Sequence, residues 1–391
     1  MNARASRALR GLVLGAGVLA LAACSSLPSM NPLDWFGSAS TLKPAPLPPI
    51  SREQPVRVLW SGSIGAAGAY IFTPAVVGDA VFVAAQDGSV ARLDAATGAV
   101  RWRISTGVRL TGGAGSDGSL VSVASGEGEV FVLDAANGTV KWRARVSSEV
   151  LAAPAVGGGL VLVRSADSRV FAFEAADGKR RWVYQRAAAT LVVRSPAGLT
   201  LQGDTAFAGF SGGKLVAIAL ENGGPRWEAT VALPRGATEL ERITDIVGDP
   251  TILAREICAV AYQGRVACFD VRTGNQIWSR PMSSITGVTM DVRYAYVSDD
   301  TGGLHALDRI SGRSVWKQDR LTNRRLSRPY AAGNAIAVGD LEGYVHFVAR
   351  ESGAFVARHA TDGSAIRAAP QRVPGGFLVQ TQNGALVALA L

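Results

Sequence analysis

From residue 55 onward the apolar residues come in runs of four to six, alternating or β-branched, and each run is cut by a Gly or Asp turn. Such runs predict strands, since a strand shows alternate residues to one face and its turns favour Gly or a self-bonding Asp. Residues 73–104 show the unit: runs at 74–77, 80–84 and 90–94, turns at Gln86-Asp87-Gly88 and Ala95-Ala96-Thr97-Gly98, and a fourth run through Trp102. The unit returns around Gly138 and Trp142, Gly178 and Trp182, Gly223 and Trp227, Gly274 and Trp278, and Gly312 and Trp316, always with Trp four residues after Gly. A further copy reaches Gly353 but carries Ala357 in the Trp position, with Phe355 expected to fill the space. The last copy, 384–389, stops at Leu391 with no fourth strand. Its missing strand is expected from Val56-Arg57-Val58-Leu59-Trp60, which stands alone ahead of the first unit.

A repeat of about 40 residues with four short strands predicts a β-propeller. One blade cannot bury both of its faces, whereas a ring of blades buries each against the next. The expected fold is therefore all-β: an eight-bladed β-propeller of four-stranded antiparallel blades over residues 55–391, closed by an N-terminal strand joining the C-terminal blade. The pattern Asp-x-x-x-Gly-x-x-x-Trp resembles the tryptophan-docking repeat of quinoprotein propellers. That resemblance implies that Trp60, Trp102, Trp142, Trp182, Trp227, Trp278 and Trp316 dock between blades. It also implies that a small residue two before the Asp makes room for them, as at Ala172, Ala217, Cys268, Ala306 and Ala388. Arg92 and Val132 depart from that rule.

The N-terminus follows different rules. Arg4, Arg7 and Arg10 precede an apolar run at 11–23, too short to span a bilayer and shaped like the core of a signal peptide. Leu21-Ala22-Ala23-Cys24 resembles the bacterial lipobox, which implies a signal peptide at 1–23 and lipid attachment at Cys24. Ser25 and Ser26 follow, with no Asp, and by the same resemblance the anchored chain belongs on the periplasmic face of the outer membrane. Residues 24–54 hold Pro28, Pro32, Pro44, Pro46, Pro48 and Pro49 and predict an extended tether outside any packed core, reaching up to roughly 90 Å.

Composition narrows the function. The formal charge is +9, and losing the three leader arginines brings it to +6. The remaining positives are scattered singly, as at Arg101, Lys141 and Arg180, so a nucleic-acid partner is not expected. The histidines His305, His346 and His359 lack ligand spacing, and three cysteines cannot build a disulfide framework. With a two-residue loop at Gln263-Gly264, Ala259 faces Cys268 across a hairpin. Cys258 then lies on the opposite face, and both thiols are expected free and buried. The quinoprotein likeness first suggests a PQQ-dependent periplasmic enzyme. The chain has no adjacent cysteines, no haem-attachment motif and no long insertions to build such a site, and acids such as Asp94, Asp134 and Asp308 fit turns of the repeat. The reading is of a protein that is not an enzyme and needs no cofactor; a glycan- or peptide-binding envelope propeller is the other alternative.

Two units exceed the repeat, and the surplus falls at 187–201 and 234–250. Loops longer than their repeat usually lie on a binding face. Here Leu191-Val192-Val193-Arg194, Thr238-Glu239-Leu240-Glu241-Arg242-Ile243-Thr244-Asp245, Ala261-Tyr262-Gln263-Gly264-Arg265 and Val338-Gly339-Asp340-Leu341-Glu342-Gly343-Tyr344-Val345-His346 resemble the BamB family, the propeller lipoproteins of the outer-membrane β-barrel assembly (Bam) machine. The resemblance implies a monomeric scaffold within a hetero-complex, which binds a POTRA domain of BamA directly and the other Bam lipoproteins indirectly. Carried over, the contact residues are Leu191, Val193, Arg194 and Asp245. Read from the residues alone, Leu191 and Val193 are equally ordinary strand residues facing a blade core. Val247 stands where the family tends to have a second Asp, and Asp249 is two residues further on.

Overall fold

Each repeat folds as an antiparallel meander whose four strands lie side by side in chain order. In blade one these are Ala75–Val77, Ala80–Ala84, Ser89–Asp94 and Val100–Ser105. The computed structural model describes residues 43–187 and 191–391; the expected signal peptide, Cys24, Trp35, Phe36 and the tether through residue 42 lie outside the described residues. Blades two to seven occupy residues 115–145, 155–185, 199–230, 246–281, 288–318 and 330–360. Blade eight takes Gln371–Val373, Gly376–Gln380 and Ala385–Ala390 from the C-terminus and Arg57–Ser63, from the other end of the chain, as its outermost strand. Trp60 lies opposite Ala388 in that pairing, so the orphan strand closes the ring as expected.

The second and third strands of every blade are almost wholly apolar and buried, because both sheet faces meet a neighbouring blade. One apolar cluster fills each joint. Phe82 meets Val121 and Phe131 between blades one and two, for example, and Trp60 and Leu386 meet Val81 and Leu93 between eight and one.

Seven joints carry the same clasp. The indole N–H of Trp60 donates to the carbonyl of Ala95 in the next blade at 3.0 Å, and Trp142 donates to Ala175 at 2.9 Å. Trp102, Trp182, Trp227, Trp278 and Trp316 do the same to Ala135, Leu220, Val271, Arg309 and Arg350. Each acceptor lies three residues before the turn glycine on which the indole ring rests, so a Cβ at Gly98 would sit 2.5 Å from Trp60. The repeat Asp closes that turn. Asp94 accepts the amides of Ala96 and Thr97 and pairs with Arg101 at 2.8 Å, which draws its carboxyl down to about 2. The small residue of the repeat lies directly across from its Trp, as Ala172 does from Trp182. Arg92 takes that place opposite Trp102 and reaches the same Ala135 carbonyl at 3.4 Å.

Three sequence expectations need correction. Phe355 does not fill the space left at Ala357. A bulge turns it toward the cluster between blades six and seven, and Phe347, opposite Ala357, supplies the aromatic at the seven–eight joint by meeting Phe377. Cys258 and Cys268 are not free thiols; they face each other across one ladder and form a disulfide, Cα to Cα 4.1 Å. The hairpin loop holds three residues, Tyr262 to Gly264, and a one-residue change of register moves every side chain to the other face. The prolines are not all outside the packing: Pro48 is buried, and 44–54 lie against blade seven.

Candidate functional site

Residues 191–198 of the surplus segment after blade three form an irregular loop that joins the sheet at Leu199–Gln202. Within it Leu191 and Val192 are exposed, with 40 % and 45 % of their surface free, and Val193 is half-buried. The amide of Ser195 donates to the carbonyl of Val193 at 2.7 Å, a tight turn that lifts the intervening Arg194 outward. The Arg194 side chain is 61 % exposed.

Beneath this loop lies Asp245, at the end of the second surplus segment and only 4 % exposed. Its carboxylate accepts the amide of Val193, and Asp249 accepts that of Gly198 at 2.6 Å. The two acids, at the start of blade five, pin the loop at Val193 and at Gly198. Burial pushes the Asp245 carboxyl above the usual carboxylate range, against the Val193 and Gly212 amides and the charge of Arg164. Arg164 is pushed by burial down to about 10, opposed by Asp245 and Asp249; it donates to the Ala197 carbonyl and stacks 5.4 Å above Phe210.

Arg194 is held from a third direction. Its Nε donates to Glu149 at 2.9 Å and its Nη2 to the other oxygen of the same carboxylate, a bidentate pair that raises the arginine pKa. The ring of Tyr70, from the chain entering blade one, lies 5.9 Å from the guanidinium. Glu149, Arg164, Val193, Arg194 and Asp245 together border a recess of about 220 Å³.

Of the four residues singled out from the sequence, Leu191, Val193 and Arg194 share this loop. Asp245 is brought to them from below and touches the loop backbone, not the outer surface. Glu149, Tyr70 and Arg164 were not legible in the sequence: they meet the loop across long chain separations, and none stands in a motif. Among the described residues no group of three or more His, Cys, Asp or Glu side chains could hold a metal.

The ring of Trp-clasped blades is a propeller of the quinoprotein repeat type, with its irregular sequence concentrated in two surplus segments that meet at Val193 and Asp245. The chain belongs to the BamB family: the family model described as outer membrane protein assembly factor BamB matches residues 57–107 and 86–318. It is 44 % identical over 387 residues to the outer membrane protein assembly factor BamB of Bordetella pertussis, covering 99 % of this chain and 98 % of that protein. The BamB of Burkholderia pseudomallei is 42 % identical over 94 % of each chain. Among solved structures, BamB from Moraxella catarrhalis superimposes with a TM-score of 0.80 at 26 % identity, over 86 % of this chain and all of that one. These relatives are named as assembly factors, not as dehydrogenases.

Proposed function

We propose that this chain is a non-catalytic scaffold in the assembly of outer-membrane β-barrel proteins, anchored by lipid at Cys24 to the periplasmic face of the outer membrane. It binds a POTRA domain of a BamA-like barrel protein through Leu191, Val193 and Arg194, meets the other lipoproteins of that machine indirectly, and aids insertion of the barrels. It works as a monomer within the hetero-complex. The observation that carries this reading is the exposed Leu191–Arg194 surface on a loop pinned from below by two acids. A preset loop loses little entropy on binding, and an outward guanidinium beside two aliphatic side chains suits a small anchor with a bidentate polar contact. Asp245 serves by holding the loop in shape.

The test is binding of the purified chain to the POTRA region of its BamA partner. Arg194→Glu is expected to weaken binding by roughly 30-fold or more, since removing one partner of a desolvated charged contact costs about 2 kcal/mol at least. Arg265→Glu, in a blade hairpin whose Arg265 donates to Ser279, is the control. Binding by Arg194→Glu as tight as wild type overturns the surface; equal damage from Arg265→Glu makes the effect one of general charge. Recovery of a BamA-like barrel protein from solubilised outer membranes tests the partner itself.

A further inference from the structure

The joint between blades seven and eight is built unlike the other seven. Ala357 stands in the Trp position, and the turn on which a Trp would rest does not exist, because the two outer strands of blade eight come from opposite ends of the chain. Phe347 and Phe377 fill the inner part of the joint. Across its outer part runs the segment 44–56, which leaves blade seven to become the closing strand of blade eight.

That segment is bound in detail to blade seven and to the connection leading into it. The Ala45 amide donates to the Thr322 carbonyl at 2.9 Å, and Arg324 donates to the Ala45 carbonyl at 2.7 Å. Arg358 donates to the Pro48 carbonyl at 2.6 Å, and the Gln54 amide donates to Val356 at 2.8 Å. Val56 then packs on the cluster that joins the two blades. Pro44, Pro46, Pro48 and Pro49 have no N–H to offer, so the segment presents mainly carbonyls and is extended in advance. A groove for such a chain must supply donors, and two guanidinium groups do so here.

Those donors rest on a buried charged base. Asp340 and His346 have no exposed surface, and Arg324 has 2 %. Asp340 accepts from Arg324 Nε and meets His346 Nε2, both at 2.7 Å. His346 Nδ1 accepts from Arg358 Nε at 3.3 Å, and Glu342 holds the remaining fork of Arg324. Burying Asp340, His346 and Arg324 together is costly unless each is hydrogen-bonded and oriented, and here each is. Blade six repeats the Asp–His pair as Asp299 and His305 at 2.8 Å, yet its His lies opposite Lys317 where blade seven has Arg358. What this site adds is the two strap-binding arginines, Arg358 on blade seven and Arg324 in the connection leading into it.

We propose that blade seven and the connection leading into it carry a groove for an extended proline-rich segment, formed by Arg324 and Arg358 on the Asp340–His346 base. Residues 44–54 of the same chain occupy it and fasten the seven–eight joint where the tryptophan clasp is missing. The proposal stands independently of the partner surface at Arg194.

Hydrogen exchange of the full chain tests it, read by mass spectrometry. In wild type the Ala45 and Gln54 amides should exchange far more slowly than in a free chain. Arg358→Leu attacks the groove, while a triple change of Pro46, Pro48 and Pro49 to Gly attacks the occupant and leaves every blade residue intact. Each should cost the strap at least about tenfold in protection, and protection should next fall in Arg57–Ser63 and Ala385–Ala390 while blades two to four hold theirs. Free-chain exchange of the strap in wild type overturns the proposal. So does a triple-glycine protein in which strap and joint remain fully protected.

Discussion

The clasp at the closing joint can be measured by adding one methyl group. Gly98 has φ +70°, and a Cβ there would lie 2.5 Å from Trp60 Cε3, so the indole must move. Gly78, in the first turn of the same blade, has φ +59° and nothing within 4 Å of its added Cβ. Gly78→Ala therefore meets only the left-handed backbone penalty of about 1–2 kcal/mol. Gly98→Ala meets the same penalty and also displaces Trp60. Losing the Trp60–Ala95 hydrogen bond costs about 1 kcal/mol, and overpacking against an aromatic ring about 1–3 kcal/mol. The expected gap between the two variants is about 2–4 kcal/mol. Equilibrium urea unfolding of both, compared by midpoint at unchanged slope, reads it directly. A gap below about 0.5 kcal/mol would mean that the joint does not depend on the indole's position, and the account of the seven clasps would fail with it.

Three further outcomes follow from particular side chains. The unreduced chain should weigh two hydrogens less than its reduced form, and Cys258→Ser with Cys268→Ser should cost about 2–3 kcal/mol, the loop-closure value for a bridge spanning ten residues. Asp245→Ala should leave the ring folded but speed exchange of the Val193 amide and weaken POTRA binding, because the loop loses its buried acceptor. Stability should also fall as pH drops through about 6.5. Burial, with Arg358 and Arg324 close by, holds His346 below that ordinary value, so the unfolded chain takes up a proton that the folded one refuses. His346→Gln should flatten the loss between about pH 7 and 5 as measured by urea midpoints; His359, also lowered by burial, is present in both proteins and cancels.

The repeat was legible because its signals are local. A Trp four residues after a Gly, and an Asp that caps the same turn, are fixed by the geometry of one hairpin, and eight copies make the ring. The closing strand was legible too, since a missing element and an orphan of matching sequence identify each other. What escaped depends on counting or on distance. The disulfide turned on whether Tyr262 belongs to the strand or to the loop, and Gln263 at φ +47° shows a loop that residue types alone do not specify. Pro48 reads as outside the packing because prolines cannot join a ladder, but a groove that binds carbonyls through arginine needs no proline N–H, and no local sequence signal marks it. Asp245 was expected as an outward contact, but sequence cannot tell an acid that meets a partner from one that holds the loop that does. Glu149 and Tyr70 reach Arg194 from separate connections between strands, with nothing beside them in the chain to announce it.

The pairing of Arg57 with Ala390 has a consequence for how the molecule comes into being. Every other strand of the ring can find its hydrogen-bonding neighbour within a few dozen residues, so seven blades can form as the chain lengthens. The eighth cannot. Its outermost strand, Arg57–Ser63, precedes every other strand and must remain unpaired until Ala385–Ala390 has been synthesised, and the loop to be closed then holds all the other strands. Such contacts are the slowest to form. A chain lacking Ala385–Ala390 would leave a string of finished blades with two open ends, each a bare sheet edge able to pair with another chain. Closure of the ring is thus checked by its own topology, at the moment these two strands meet.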